Sequence, residues 1–204
     1  MDWFRFAVTT SAVLRRVVGS PANAMRAPIL TFISFLFLGT ACAGTGAILP
    51  RETEETRVEG YVGLPVAVFQ ARTTSGGQVS SKDFNGKVLL IDLWGLNCVS
   101  CLYEMRALEG LYEDYRDKGL VIWALNTEMI GAREILEGLR SRDVDVSYDL
   151  LMDPDLEITK KFTSWFIPVT VIVDSDGVVQ YYKVGFKEAD IKAIRAKVGV
   201  LLGE

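Results

Sequence analysis

Residues 87–101 read KVLLIDLWGLNCVSC, a nearly continuous apolar run of strand length followed within four residues by a Cys-x-x-Cys pair. A run such as Lys87 to Trp94, with no polar alternation, is what a central strand buried on both faces requires. Past the cysteines, Leu102, Met105, Leu108, Tyr112 and Tyr115 recur at spacings of three and four, one face of a helix ending at Gly119. Cys98 and Cys101 therefore fall at the joint between a buried strand and a helix N-terminus. There the free N–H groups and the helix dipole favour negative charge, so Cys98 is expected as a thiolate, the form that attacks. Cys101, one turn later, faces the core, where it can attack a mixed disulfide on Cys98 and release a partner, which is thiol–disulfide exchange.

Outward from this joint the chain alternates between strands and helices. Val66 to Gln70 reads as a short strand, Ser75-Gly76-Gly77 as a turn, Gln78-Val79 as a return strand and Ser81 to Phe84 as a turn of helix. Leu120 to Leu125 is the next strand, Ile135, Leu136 and Leu139 mark a second helix, and Val146 to Leu151 is a strand. Asp153-Pro154 is a good start for a third helix reaching Phe162. Val169 to Val173 and Val178 to Val184 flank DSDG, a hairpin signal, and an amphipathic helix from Glu188 to Leu201 closes the chain. The expected fold is α/β with a mixed central sheet flanked by helices on both faces.

Composition narrows the chemistry. The 204 residues include no His, which excludes Ser/His and Cys/His nucleophile pairs and His-ligated metal or haem. Three Cys make no zinc site alone, so no metal and no cofactor is expected. Residues 1–43 carry four Arg and one Asp, which leaves 18 basic against 25 acidic side chains in the remainder, a balance that argues against nucleic acid as partner. A purely structural Cys98–Cys101 bridge would close a tiny loop and stabilise little.

Four further readings surround the pair. Asp92 interrupts an apolar strand where an unpaired carboxylate is costly, and a pKa raised by burial would let it shuttle the proton of Cys101; the alternative is a strand-end Asp that reaches solvent or caps a neighbouring backbone group. Glu104, one turn after Cys101, could modulate the thiols, although the helix dipole alone favours an acid there. Ile167-Pro168 opens a β-rich run, and a proline at that place is an edge device or a cis peptide; a cis bond beside the cysteines would offer a backbone edge to a substrate strand. Trp94, Trp123, Trp165 and Phe166 read first as packing, with Trp165 and Phe166 the candidates for lining a partner groove because they directly precede Pro168.

The N-terminus is expected to be a targeting segment over residues 1–43, with Met25 a possible true start. Ala27 to Pro50 is uncharged and follows Arg15, Arg16 and Arg26. Its apolar core and the small residues Ala41-Cys42-Ala43 read as a cleaved signal peptide. Lipidation at Cys42 is a second reading, weakened because Leu38 stands one place too early for a lipoprotein signal, and an uncleaved membrane anchor is a third. All three put the rest of the chain outside the cytoplasm, in an oxidising compartment. Residues 44–60, which include RETEETRVEG, read as a linker, and the folded domain as 61–204.

GKVLLIDLWGLNCVSCLYEMRALEGLYEDYRDKGLVIWALN followed by FIPVTVIVDSDGVVQYYKVG resembles the thioredoxin superfamily, in particular the extracytoplasmic TlpA/ResA-like redoxins, over residues 60–204. The resemblance implies Cys98 as attacking and Cys101 as resolving thiol in a redox disulfide. It also implies Asp92 and Glu104 as acids near them and Pro168 as a cis-proline facing the disulfide, with Trp94, Asn97, Val99 and Ser100 flanking it. Protein disulfides or thiols are the implied substrates, and a membrane electron carrier the implied redox partner, several relatives being reductants in cytochrome c maturation. Asn97 and Ser100 depart from the family's Trp-Cys-x-Pro-Cys, and the second substitution leaves the direction of electron flow open. Two other functions compete: a peroxiredoxin-like peroxidase, disfavoured by Gly95 at the place of that branch's Thr, and a redox-inactive binding module with a structural disulfide.

Overall fold

A computed structural model describes residues 60–84, 86–162 and 166–204. The expectations for residues 1–59, including the targeting segment, Cys42 and the linker to residue 59, lie outside them, as does Trp165. Among the described residues no helix is long and apolar enough to cross a membrane.

The elements are β1 (Gln70–Thr73), β2 (Gln78–Ser80), β3 (Val88–Trp94), α1 (Val99–Tyr115), β4 (Leu120–Asn126), α2 (Ala132–Arg140), β5 (Asp149–Met152), β6 (Val169–Val173), β7 (Val179–Val184) and α3 (Asp190–Leu201). The strands form one mixed sheet in the order β2-β1-β5-β4-β3-β6-β7. β5, β4 and β3 run parallel, while β6, β7, β1 and β2 are antiparallel to their neighbours. β3 is buried along its whole length because its side chains enter two cores in alternation. Val88, Leu90 and Trp94 join residues of all three α-helices, while Leu89, Ile91 and Leu93 join Phe69, Trp123, Phe162 and Tyr182 on the other face. Each such Leu or Ile contributes about 1.5–3 kcal/mol through burial. The sheet is thus covered by α1, α2 and α3 on one side. On the other lie a short 3-10 helix, Thr159–Phe162, and the chain before β1.

Three local expectations are corrected. The strand read at Val66–Gln70 sits later, at Gln70–Thr73, because the preceding residues run along the β6–β7 hairpin: Gly63 N–H donates to Val179 O, and Val66 N–H to Gly177 O. The strand read from Val146 begins at Asp149, since the Glu109 carboxylate takes both the N–H (2.8 Å) and the hydroxyl (2.6 Å) of Ser147. The helix read from Asp153-Pro154 is only turns and the 3-10 helix. Leu156 has φ +57°, which interrupts a right-handed helix, and Asp153 instead accepts from the N–H groups of Ile158 and Thr159 further on. At the end of α1, by contrast, Gly119 takes φ +108° where a left-handed residue is needed, as read.

Candidate active site

Cys98 is the N-cap of α1, with extended backbone (φ −96°, ψ 100°), and its sulfur accepts the N–H of Cys101 at 3.2 Å. The cap position satisfies one of the orphan donors of the helix with a sulfur instead of the usual oxygen. Cys98 and Cys101 are joined, S–S 2.07 Å and Cα–Cα 5.2 Å. Cys98 is half-buried and Cys101 has no exposed surface, so only the first sulfur faces a partner. Ser100 Oγ lies 3.4 Å from the Cys98 sulfur. The Ile167–Pro168 bond is cis, and the Ile167 carbonyl lies 3.7 Å from the same sulfur. Val99, Tyr103, Phe166 and Met129 are large apolar residues left exposed on α1 and on the loops before β6 and after β4. Trp94 is fully buried and Trp123 nearly so, both core residues as read.

The loop between β3 and α1 is clamped by the residues that follow β4. Thr127 donates its N–H (2.9 Å) and hydroxyl (3.2 Å) to Trp94 O. The Glu128 carboxylate accepts the Leu96 N–H at 2.9 Å and the Asn97 side-chain amide at 3.2 Å. Asn97, which stands where the resemblance expects Trp, is therefore tied down by an acid. Sequence reasoning did not find Glu128, because nothing in the order of residues places it 31 positions away beside Asn97. Replacing Glu128 with Ala leaves two donors without their partner and is expected to cost about 1–3 kcal/mol, measured as a lower denaturant midpoint.

Two acids are buried on the elements that flank the pair, Asp92 on β3 and Glu104 on α1. Asp92, in the middle of β3, has no exposed surface, and neither carboxylate oxygen has a hydrogen-bond partner among the described residues. Its side chain is on the face of β3 that meets α1, with Leu90 and Trp94. Burial first, and the neighbouring Glu104 second, push its pKa well above the ordinary carboxylate range. Glu104 is equally buried and its Oε1 accepts the Thr170 hydroxyl at 2.5 Å. Burial raises its pKa to about 7; Asp190 adds to the rise, while Thr170 and Lys183 oppose it. The strand-end alternative for Asp92 is thus removed, and Glu104 is a core residue as well as a helix-end acid. Thr170 was hidden in the sequence as one polar residue in an apolar strand, since only the register Asp92↔Thr170 brings it to the acids. Among the described residues no cluster of Cys, Asp and Glu is arranged to hold a metal.

A sequence model of the AhpC/TSA family matches residues 62–182. Thiol-disulfide oxidoreductase ResA of Bacillus thuringiensis subsp. konkukian is 28% identical over 127 residues, 62% of this chain and 70% of that protein. Protein DipZ of Mycobacterium bovis is 24% identical over 134 residues, 65% of this chain but only 19% of DipZ, so the chain spans about a fifth of that relative. Among solved structures, the thioredoxin domain of a thiol-disulfide oxidoreductase from Bacteroides vulgatus superposes with a TM-score of 0.58 at 19% identity, covering 67% of this chain and 97% of that one. The fold is thioredoxin-like, as the resemblance implied.

Proposed function

The chain belongs to the AhpC/TSA family, and from that membership and its cysteine pair we propose that it is a thiol–disulfide oxidoreductase acting outside the cytoplasm as a reductant of protein disulfides. The observation that carries this reading is the placement of Cys98: a half-buried sulfur capping a helix, joined to a fully buried Cys101, with one buried acid on the same helix and another on the strand before it. A structural staple has no use for that asymmetry of exposure, nor for a buried Asp92 with no hydrogen-bond partner among the described residues.

In the reducing direction the Cys98 thiolate attacks one sulfur of a client disulfide. The client S–S bond breaks, and its leaving sulfur departs as a thiolate that takes a proton from solvent. Cys101, once deprotonated, attacks Cys98 Sγ, which breaks the mixed disulfide and frees the second client thiolate. Two electrons have then passed from the dithiol to the client, and an external dithiol carrier, proposed to be membrane-bound, returns them by the reverse sequence. The two acids manage the proton of Cys101. Both carboxyls are raised by burial, Glu104 to about 7, so near neutral pH the pair holds a proton that it can exchange. The Cys101 proton passes to this pair as the resolving thiolate forms and returns from it when the dithiol is regenerated. Phe166 and the Ile167–Pro168 segment beside Cys98 supply the edge against which a client strand would lie.

Ser100 bears on direction. A proline there would lack the hydroxyl that now stands 3.4 Å from the Cys98 sulfur. Ser100→Pro is expected to destabilise the Cys98 thiolate and move the couple about 30 mV toward reducing potentials, a tenfold change in the exchange equilibrium, read by equilibration with thiol buffers. The extracytoplasmic assignment rests on the charge pattern of residues 1–43.

The test of the function is catalysed reduction of a protein disulfide such as insulin by the purified protein with a dithiol donor, alongside hydrogen peroxide consumption with the same donor. Insulin reduction supports the reading. Peroxide turnover without it would favour the peroxidase, which Gly95 disfavours: it offers no hydroxyl, and a Cβ there would lie 3.1 Å from Ile167 Cδ1. Neither activity would favour a binding module.

A further inference from the structure

Asp92, Thr170 and Lys183 occupy directly opposed positions on three adjacent strands, Asp92↔Thr170 between β3 and β6 and Thr170↔Lys183 between β6 and β7. Opposed residues of antiparallel strands point to the same face, so the three side chains form one row across the sheet, on the side covered by the α-helices. Two acids from those helices lie over the row. Glu104 of α1 receives the Thr170 hydroxyl, and Asp190, in the first turn of α3, receives Lys183 Nζ at 2.5 Å and the Lys187 N–H at 2.7 Å. The row thus begins at the fully buried Asp92 and ends at an ion pair whose side chains are 33% and 16% exposed.

A lone ammonium next to Thr170 would favour the Glu104 carboxylate, and a lone carboxylate at the same place its neutral acid. Either charge alone would move its midpoint away from neutrality. We propose that Lys183 and Asp190 are positioning residues, a pair of opposed charges that holds the buried Glu104 at the balance where it can both take and release the thiol proton near neutrality. The proposal rests on the oxidoreductase reading above only for the purpose the proton serves; the electrostatic claim stands on the row itself. Asp190 is a fixed charge in this scheme. Partial burial raises its pKa, but the Lys183 ion pair and the Lys187 N–H outweigh that and leave it below the usual range, so it stays ionised while Glu104 titrates. The other titratable groups electrostatically linked to Glu104 are Asp92, Tyr148 before β5 and Tyr181 on β7. The two phenols stay protonated throughout: Tyr148 is raised well above its ordinary value by burial and by nearby acids including Asp92 and Glu104, and Tyr181 to about 12 by burial, Asp190 and Glu104.

The test is a carboxyl carbon-13 NMR titration of the oxidised full chain, with the Glu104 signal assigned by its loss in Glu104→Gln. Lys183→Gln leaves Asp190 uncompensated and is expected to move the Glu104 midpoint up by about one pH unit. Asp190→Asn leaves Lys183 uncompensated and should move it down by a similar amount, while Lys183→Arg should restore the original value. A purely structural role would shift both variants in the same direction, through loosened packing of α3 and greater water access to Glu104. Midpoints that move together, or not at all, would overturn the proposal. Because this readout needs no turnover, failure of insulin reduction in the unaltered protein would remove the functional reading and leave the electrostatic one standing on its own result.

Discussion

Replacing Cys98 with Ser is expected to reduce protein-disulfide reduction to the background rate, and replacing Cys101 with Ser to arrest it one step later. The two losses differ because the sulfurs differ in exposure: Cys98 is half-open at the cap of α1, and Cys101 is sealed in the core with Met105 and Leu108. Without Cys98 the described residues hold no exposed sulfur that can attack. Without Cys101 the attack still occurs, and the mixed disulfide between Cys98 and the client accumulates because no internal thiolate resolves it. Non-reducing electrophoresis of the protein with a disulfide-bonded client separates these outcomes. A covalent adduct should appear with Cys101→Ser and be absent with Cys98→Ser. The same adduct pattern with the roles exchanged would mean that the buried sulfur is the nucleophile, against the geometry.

Asp92→Asn should have two opposite consequences. Above about pH 7 the protein should become more stable, by on the order of 2 kcal/mol, because a buried acid with no protein partner for either oxygen is replaced by a neutral group of the same shape. At the same time the resolving step should slow by about a hundredfold, the usual contribution of a positioned general base. The pH dependence follows from the direction of the shifts. Asp92 and Glu104 both have raised folded-state values, Glu104 moving from 4.5 to about 7. Between the ordinary carboxylate range and these values the native chain holds protons that the unfolded chain has released. The contribution of the pair is therefore fullest in acid and is lost as the pH rises toward and through about 7, the reverse of an ion-paired carboxylate. Urea unfolding at pH 5 and pH 8 checks this: the gain from Asp92→Asn should be small at the lower pH and large at the higher. An equal gain at both would mean that burial does not hold Asp92 neutral.

Much of this site is legible in the sequence. β3 declared itself because a strand buried on both faces leaves no alternation to confuse, and the cysteines were placed by the helix period that follows them. Asp92 was conspicuous for the same reason, a charge in a run that tolerates none. Pro168 and the DSDG turn are local signals and were read as such, and Asp174 accepts the N–H groups of Asp176 and Val178 in the turn. What could not be read is whatever depends on cross-strand register or on loops meeting in space. Thr170 beside Glu104, Lys183 beside Thr170 and Glu128 beneath Asn97 are each separated in sequence by distances that no period encodes. The segment after Asp153 misled for a physical reason too. Asp-Pro is a good helix start, but here the aspartate bonds to N–H groups five and six residues on, around a left-handed Leu156.

The proposed function requires Cys98 and Cys101 to form a reversible, reducing couple. The most direct measurement is the midpoint potential of the pair at pH 7, by equilibration of the protein with graded thiol buffers. A reductant should lie toward the value of thioredoxin, about −270 mV, and a reversible titration there is the result predicted. A potential toward that of the oxidant DsbA, about −120 mV, would reverse the direction of electron flow, and a disulfide that no thiol buffer opens would contradict the redox function itself.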